Sequence, residues 1–134
     1  MIDWTYKNKP FTEAIEDTEG FVYHITFSNG KKYIGKKNFF HKITKPPLKG
    51  YKRKRKAIKE SDWKTYCGSI KDEEFMTQLK EGLIKPIKRE ILHICKNKAE
   101  LTYREVEYQF SFKVLEDTSY LNNCILGKFY RGKW

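Results

Sequence analysis

The sequence has few of the features that mark secreted, membrane-spanning or zinc-stabilised proteins. Its three cysteines are far apart and form no CxxC pair, which argues against a disulfide framework and against a structural zinc site. No apolar run approaches the roughly 18 residues that a helix needs to span a bilayer. The opening residues, MIDWTYKNKPF, include no apolar signal segment. We therefore expect a cytoplasmic protein that does not associate with membranes.

Acidic residues are missing from one long stretch of the chain. Residues 31–59 contain thirteen Lys or Arg and no Asp or Glu, whereas residues 1–19 contain five acids and two bases. The net charge of +11 predicts attraction to polyanions, of which nucleic acid is the most common. A basic stretch of this length is typical of a surface that contacts phosphates, although a solvated basic loop without a partner has the same composition.

Length and composition favour one folded α+β domain. The 134 residues are 39% hydrophobic and 16% aromatic, which is enough for one core despite 34% charged residues. Strand-like patterns cover residues 21–27, 31–35 and 87–95. Helices are predicted from 72 to 81 and from 97 or 98 to about 115. Because these strands and helices do not alternate regularly, the pattern indicates an α+β fold.

The first two strands are joined by Ser28-Asn29-Gly30, which is strong turn chemistry. A two-residue turn would point the side chains of Tyr23 and Tyr33 to opposite faces of the sheet. A three-residue type I turn with a bulge at Gly30 would place Tyr23 opposite Gly35 and both phenols on one face. We predict the three-residue turn.

The hairpin carries the most specific motif in the chain. Gly20-Phe21-Val22-Tyr23, followed by Tyr33-Ile34-Gly35, resembles the signature of the GIY-YIG nuclease family, with one extra residue between the first glycine and its tyrosine. Residues 46–50, 60–63 and 66–69 are also similar to small phage homing endonucleases of the Seg type. The resemblance implies the GIY-YIG nuclease fold, a small three-stranded antiparallel sheet flanked by helices.

The resemblance also suggests how the chain is divided. The nuclease domain would occupy residues 20–127, with a basic insertion at about 38–70. An N-terminal arm, residues 1–19, would precede it and a C-terminal tail, residues 128–134, would follow it. If the protein is phage-encoded, the expected compartment is the cytoplasm of the host cell.

The two tyrosines of the hairpin are the first candidate catalytic residues. The resemblance implies a DNA endonuclease that hydrolyses phosphodiester bonds by tyrosine-assisted attack of water. A phenol can hydrogen-bond this water and, if its pKa is lowered, accept its proton. Tyr23 and Tyr33 would share this task, and Gly35 would leave room for a phosphate beside Tyr23. The alternative is that both tyrosines only fill a half-buried sheet.

The second predicted helix offers a candidate metal ligand. At about 100° per residue, Glu107 falls on a polar arc, whereas Glu105 falls beside Leu101 and Phe112 at the edge of an apolar stripe. Solvation alone explains such a carboxylate poorly, and the resemblance places a metal-binding glutamate on this helix. We expect Glu105 to bind one Mg²⁺ or Mn²⁺ ion. The alternative is an ordinary carboxylate on the helix surface.

The resemblance further implies an arginine that clamps the scissile phosphate, on the element after the second strand. Arg53 and Arg55 are the two arginines of that region. Arg53 is slightly favoured, and the alternative is that both contact only the DNA backbone. Lys37 is a further candidate partner of the phosphate or of a phenol. The residues expected to bind nucleic acid are Lys36, Lys37, Lys52, Arg53, Lys54, Arg55 and Lys56.

An asparagine after the glutamate helix is the last residue that the resemblance implies. Asn122 and Asn123 both qualify, and Tyr120-Leu121-Asn122 fits the family spacing better. We expect Asn122 to hold the active-site backbone by hydrogen bonds, and Gly30 and Gly35 to have structural roles.

The expected partner is double-stranded DNA. No zinc finger or helix-turn-helix is visible that would read its sequence. The oligomeric state stays open, with a homodimer among the alternatives. Two other functions are consistent with the composition: a catalytically idle nucleic-acid-binding module and a phage–host interaction protein.

Overall fold

The predicted hairpin lies within a larger mixed sheet. The computed structural model describes residues 2–133. The strands are β1 (Trp4–Tyr6), β2 (Lys9–Phe11), β3 (Gly20–Phe27), β4 (Lys32–Asn38), β5 (Phe40–Lys45), β6 (Arg55–Glu60), β7 (Pro86–Cys95), β8 (Cys124–Ile125) and β9 (Phe129–Tyr130), and the helices are α1 (Glu73–Lys80) and α2 (Lys98–Ser111). The main sheet has the order β2-β1-β7-β3-β4, and β5–β6 and β8–β9 form two separate two-stranded sheets. This arrangement confirms the α+β class.

The main sheet has five strands, so the prediction of three is wrong. The three predicted strands are β3, β4 and β7, and β3 is antiparallel to each of the other two. β1 adds to β7 in parallel, and β2 pairs with β1 antiparallel. These two additional strands have three residues each, which is too few for an alternating pattern to be visible in the sequence. Residues 4–6 and 9–11 of the predicted N-terminal arm are therefore strands of the main sheet.

Trp4 anchors the first strand in the core. Its side chain is 1% exposed, and its ring lies 5.0 Å from that of Phe21 and 5.6 Å from that of Tyr23. The indole Nε1 donates a hydrogen bond of 2.8 Å to the carbonyl oxygen of Trp63. The buried indole thus has both apolar neighbours and a partner for its polar atom, as buried tryptophans usually do.

The predicted three-residue turn between β3 and β4 is confirmed. Tyr23 lies opposite Gly35, and Ile25 lies opposite Tyr33. The Phe27 N–H donates to the Lys31 carbonyl at 2.8 Å, which closes the turn. Gly30 has a φ of 83°, a conformation that favours glycine and that produces the bulge. Both phenols therefore start from the same face of the sheet.

Both helices begin where their capping residues predict. The Asp72 carboxylate accepts a hydrogen bond of 3.1 Å from the Phe75 N–H at the start of α1. The Asn97 side chain accepts one of 2.8 Å from the Glu100 N–H at the start of α2. The prediction that α2 continues to about residue 115 is wrong, because the helix ends at Ser111. Lys113 then has a φ of 52°, which a helix cannot include.

The sheet separates two hydrophobic clusters. One contains Trp4, Phe21, Tyr23, Trp63 and Phe75 among its buried residues, and the other contains Val22, Ile34, Cys95, Leu101 and Val114. Helix α2 packs on the second side. β4 is an edge strand of the main sheet, and the short segment 119–122 hydrogen-bonds its outer edge at Lys32 and Ile34. Side chains from both sides of the sheet can meet around this edge. Among residues 2–133, no helix has the length and apolarity to cross a membrane.

We predict that Trp4→Ala destabilises the protein by about 3–5 kcal/mol, because it removes a fully buried aromatic side chain from the core. Urea unfolding followed by circular dichroism would measure the change. Ile15→Ala is the matched control, since Ile15 is also near the N-terminus but is 45% exposed. A loss under about 0.5 kcal/mol for Trp4→Ala, as expected for a surface site, would mean that β1 is a dispensable arm.

Candidate active site

The phenols of the hairpin share one face, at different depths. The rings of Tyr23 and Tyr33 lie 6.2 Å apart, with Tyr23 fully buried and Tyr33 half-buried. A Cβ atom on Gly35 would lie 2.5 Å from the Tyr23 hydroxyl oxygen and 3.2 Å from a Tyr33 ring carbon. The space beside Gly35 is therefore filled by Tyr23 itself. The expectation that this glycine leaves room for a phosphate is wrong, because glycine is needed here to admit the phenol.

A third tyrosine, Tyr66, joins the pair. Its ring lies 5.8 Å from that of Tyr23 at an interplanar angle of 80°. The Tyr66 hydroxyl hydrogen-bonds the Ser69 side chain, while the Tyr33 hydroxyl donates to the Ser69 carbonyl at 3.3 Å. No role for Tyr66 or Ser69 was expected from the sequence. The feature that could have indicated them is their position in residues 66–69, one of the segments similar to the Seg-type enzymes.

Arg89 holds this tyrosine-bearing segment against the sheet. Its side chain is 2% exposed, and its Nη1 donates to the carbonyl oxygens of Lys64 at 2.9 Å and Tyr66 at 3.0 Å. Its Nε donates to the Ile2 carbonyl at 2.9 Å. This buried cation has carbonyl partners for its charge, which is how an arginine is tolerated in a core. Arg89 is therefore a structural residue.

Burial keeps both hairpin phenols protonated. The pKa of Tyr23 is raised well above its usual value by burial, and the nearby Tyr66, Tyr33 and Glu105 add to the effect. Burial, with Tyr66 and Glu105, raises the pKa of Tyr33 to about 12. Desolvation disfavours the charged form of each group. A phenolate is therefore not populated at neutral pH, and each phenol acts as a neutral hydrogen-bonding group.

Glu105 lies on the wall of a cavity at the outer edge of β4, where the segment 119–122 joins that strand. The cavity has a volume of about 440 Å³, and its wall is formed by Tyr33, Ser69, Lys71, Glu105, Gln109, Leu121, Asn122, Asn123, Cys124, Leu126 and Tyr130. The Glu105 side chain is half-buried. Burial raises its pKa, and the nearby Lys36 lowers it. With residues 2–133 its carboxylate makes no hydrogen bond or ion pair, whereas Glu107 is exposed and bonds Arg104 at 2.9 Å.

The neighbouring lysines Lys36 and Lys37 point to opposite sides of the sheet. The Lys36 Nζ donates to the Thr102 hydroxyl on α2 at 3.0 Å. The Lys37 Nζ forms an ion pair of 2.6 Å with Asp62 and lies 4.2 Å from the centre of the Tyr66 ring. Hydrogen bonding to Lys37 lowers the pKa of Asp62. One lysine therefore faces the glutamate helix, and the other faces the tyrosine cluster.

The Asn122 side chain hydrogen-bonds the backbone of Ile34 at the outer edge of β4. Its Oδ1 accepts a hydrogen bond of 3.1 Å from the Ile34 N–H, and its Nδ2 donates one of 2.8 Å to the Ile34 carbonyl. The Gln109 side chain donates a second hydrogen bond to this carbonyl at 3.2 Å. Asn122 is 3% exposed, whereas Asn123 is exposed. The side-chain amide of Asn122 thus takes the place of a neighbouring strand beside the middle residue of the second motif.

The two arginines proposed from the sequence lie in the separate β5–β6 sheet and its connecting loop. Arg55 is opposite Lys45 at the loop end of β6, and its Nε donates to the Pro46 carbonyl at 3.2 Å. Arg53 is exposed in the loop. Neither belongs to the cavity wall formed by the described residues, which contains Lys71 as a basic residue. The remaining basic candidates, Lys52, Lys54 and Lys56, are also exposed.

Two groups of side chains could hold a metal ion. The cavity offers the Glu105 carboxylate, a hard oxygen ligand with no protein partner among residues 2–133, and space for an ion that keeps most of its waters. This site fits Mg²⁺ or Mn²⁺. The second group is His93, Cys95 and Glu100, whose donor atoms lie within 4.8 Å of one another. Its thiol makes it a softer set, but burial raises the pKa of Cys95 to about 11.

Comparison with known proteins identifies the family. A family model described as "Putative endonuclease segE, GIY-YIG domain" matches residues 4–125. This match covers most of the chain, which therefore belongs to the GIY-YIG endonucleases and resembles the segE type within them. The family resemblance drawn from the hairpin motif is confirmed. No curated protein sequence and no solved structure matched the chain.

We predict that Asn122→Ala lowers the free energy of unfolding by about 1–3 kcal/mol, since the Ile34 N–H loses its partner while the carbonyl keeps Gln109. Asn123→Ala, a neighbouring and exposed change, should have little effect. Urea unfolding would measure both, and hydrogen exchange should show selective loss of protection at the Ile34 amide. Equal effects of the two substitutions would contradict the backbone role of Asn122.

Proposed function

We propose that this chain is a divalent-metal-dependent DNA endonuclease that hydrolyses phosphodiester bonds by direct attack of water. The observation that carries the proposal is the shared cavity of Tyr33, Glu105 and Asn122, three residues from different parts of the sequence. The family match supports endonuclease chemistry, and the net charge of +11 supports a polyanionic substrate. The alternative, an idle nucleic-acid-binding module, would not need an unpaired carboxylate in the wall of the cavity.

Glu105 is the residue we assign to the metal. Burial of a carboxylate that lacks a partner among the described residues has a desolvation cost, and binding of a cation would offset that cost. One Mg²⁺ or Mn²⁺ bound there would supply positive charge to stabilise the leaving 3′ oxygen. The charge of Lys36, which hydrogen-bonds Thr102 on α2, lowers the pKa of this carboxylate and so opposes the effect of burial.

Tyr33 is the residue we assign to the attacking water. Its hydroxyl donates to the Ser69 carbonyl, so that its lone pairs remain available to accept a hydrogen bond from water. With a pKa of about 12 the phenol is neutral, and its contribution is to orient the water rather than to act as a phenolate base. Tyr23 is 1% exposed and its ring packs between those of Tyr33 and Tyr66, so we assign it to positioning Tyr33 from behind.

Basic residues would contact the DNA both inside the cavity and outside it. Lys71, on the cavity wall, is placed to neutralise a phosphate that enters the cavity. The DNA backbone outside the cavity would be bound by Arg53, Arg55, Lys52, Lys54 and Lys56. For the two arginines this means contact with the DNA backbone only, and not the role of clamping the scissile phosphate. Lys37 would maintain the tyrosine cluster through Tyr66 and Asp62.

We expect Glu105→Gln to abolish Mg²⁺-dependent nicking of supercoiled plasmid while salt-sensitive DNA binding survives. Glutamine retains the shape of the side chain but removes the charge that would hold the cation. Glu107→Gln, two positions further on the same helix and exposed, is the matched control and should retain activity. Conversion of supercoiled to nicked DNA on agarose gels gives the rate.

Other outcomes of this assay would change the assignment. Cutting that persists in Glu105→Gln and disappears in Glu107→Gln would move the metal to the other carboxylate. DNA binding by the unaltered protein, without cutting on any DNA form in Mg²⁺ or Mn²⁺, would favour the idle binding module.

We expect Tyr33→Phe to lower the nicking rate by about 100-fold or more at unchanged DNA affinity, because it removes the hydroxyl that orients water. Tyr103→Phe, a substitution of an exposed tyrosine on α2, is the control for loss of a phenol elsewhere. Single-turnover nicking and binding isotherms separate the two effects. If Tyr33→Phe instead weakens binding in proportion to the rate, the tyrosine contacts DNA without taking part in the chemistry.

A further inference from the structure

The β5–β6 pair is an unusual element of this fold. Its six residue pairs form a ladder of their own, and neither strand pairs with the main sheet within residues 2–133. Four of the six residues of β5 and five of the six of β6 are exposed. An isolated two-stranded ribbon is at best marginally stable in water. The β5–β6 ribbon, defined as residues 40–60 with the connecting loop, therefore has a surface suited to a partner.

The ribbon is strongly and uniformly basic. Residues 40–60 contain nine Lys or Arg and one acid, Glu60. None of these nine cations takes part in an ion pair with residues 2–133. Glu16, Asp17 and Glu19 line a cavity beside Lys42, but no ion pair relieves the self-repulsion of the ribbon within residues 2–133. A polyanion is therefore the partner of complementary chemistry.

The root of the ribbon is rigidly fixed to the active-site strand. Only Phe39 separates β4 from β5, and its buried ring lies 5.2 Å from the buried ring of Trp63. The Ser61 N–H donates to the Phe39 carbonyl at 2.8 Å, and the Ser61 hydroxyl donates to the Asn38 carbonyl at 2.6 Å. The Trp63 indole donates to Glu60 at 3.1 Å. These bonds set the direction in which the ribbon leaves the sheet.

The dimensions of the ribbon select one kind of polyanion. Six residues per strand give a length of about 20 Å. A two-stranded ribbon fits the major groove of B-DNA, which is about 12 Å wide, but not the minor groove, which is about 6 Å wide. The deep and narrow major groove of double-stranded RNA excludes side chains. Duplex DNA approached from the major groove is therefore the surface that matches.

One side chain suits the floor of that groove. Ile58 is 72% exposed and lies directly opposite Lys42 on the neighbouring strand. It lines a shallow cavity with Lys42 and with the acidic residues 16, 17 and 19. An aliphatic side chain gains nothing from such exposure in water, whereas thymine presents a methyl group in the major groove. Lysines along the ribbon would contact the phosphates on either side.

We propose that the β5–β6 ribbon enters the major groove of double-stranded DNA and thereby holds the duplex at a fixed position relative to the Tyr33–Glu105 cavity. This inference rests on the proposed endonuclease function and adds the form of the substrate, the groove and the element that binds it. The short connection through Phe39 makes binding and cleavage geometrically linked.

The first test measures duplex binding of the full chain in EDTA, so that cutting does not interfere. Lys42→Gln with Lys56→Gln should reduce the slope of log affinity against log salt by about two, because each lysine that contacts a phosphate contributes about one. Lys9→Gln with Lys80→Gln removes the same charge from β2 and α1 and should leave the slope unchanged. Fluorescence anisotropy with a labelled duplex gives the affinities.

The second test identifies the groove. Duplexes in which every thymine is replaced by a uracil with a bulky C5 substituent block the major groove, and we expect them to bind at least tenfold more weakly than the unmodified duplex. Netropsin, which fills the minor groove of A·T tracts, should not displace the protein. Displacement by netropsin together with indifference to the C5 substituent would overturn the proposed mode of binding.

The result of these tests does not depend on the endonuclease proposal. Ribbon-dependent duplex binding by a protein that never cuts would refute the endonuclease and leave the ribbon assignment intact. Cutting that proceeds with unchanged duplex affinity and salt slope in Lys42→Gln with Lys56→Gln would refute the ribbon assignment alone. Equal affinity for single-stranded DNA, double-stranded RNA or vesicles of anionic lipid would also refute it, since charge without groove recognition would then be sufficient.

Discussion

The candidate site depends on the length of one turn. Because side chains alternate along a strand, one residue more or fewer between β3 and β4 would send Tyr33 to the face opposite Tyr23. The bulge at Gly30 fixes the register that brings the two phenols together, and Gly35 then leaves the volume that Tyr23 fills. Tyr66 can join the cluster only after these two conditions are met.

The edge position of β4 is what connects this tyrosine face to the glutamate helix on the opposite side. A central strand would have kept the two faces apart, but at the edge of the sheet Tyr33 and Glu105 can line one cavity. An unprotected edge has unpaired backbone groups and is a site for unwanted pairing. Here the backbone of residues 119–121 pairs with Lys32, and the Asn122 side chain satisfies the backbone groups of Ile34.

Local chemistry predicted much of this arrangement from the sequence. The turn residues determined the register of the hairpin, and capping by Asn97 determined the start of the glutamate helix. The sequence did not indicate β1, whose three residues pair with a strand far along the chain, or β5–β6, whose exposure removes the alternating pattern. Nor could it indicate the direction of the tyrosine pKa shifts, because they follow from the depth of burial.

The hydrogen bonds between Asn122 and Ile34 affect the order in which the protein folds. Asn122 is 88 residues further along the chain than Ile34, and contacts of such long sequence separation form late because the intervening chain must first be ordered. During vectorial synthesis, residue 34 leaves the ribosome long before residue 122 exists. The hairpin motif therefore lacks its Asn122 hydrogen bonds until nearly all of the described chain has been made. Incomplete chains lack the finished cavity.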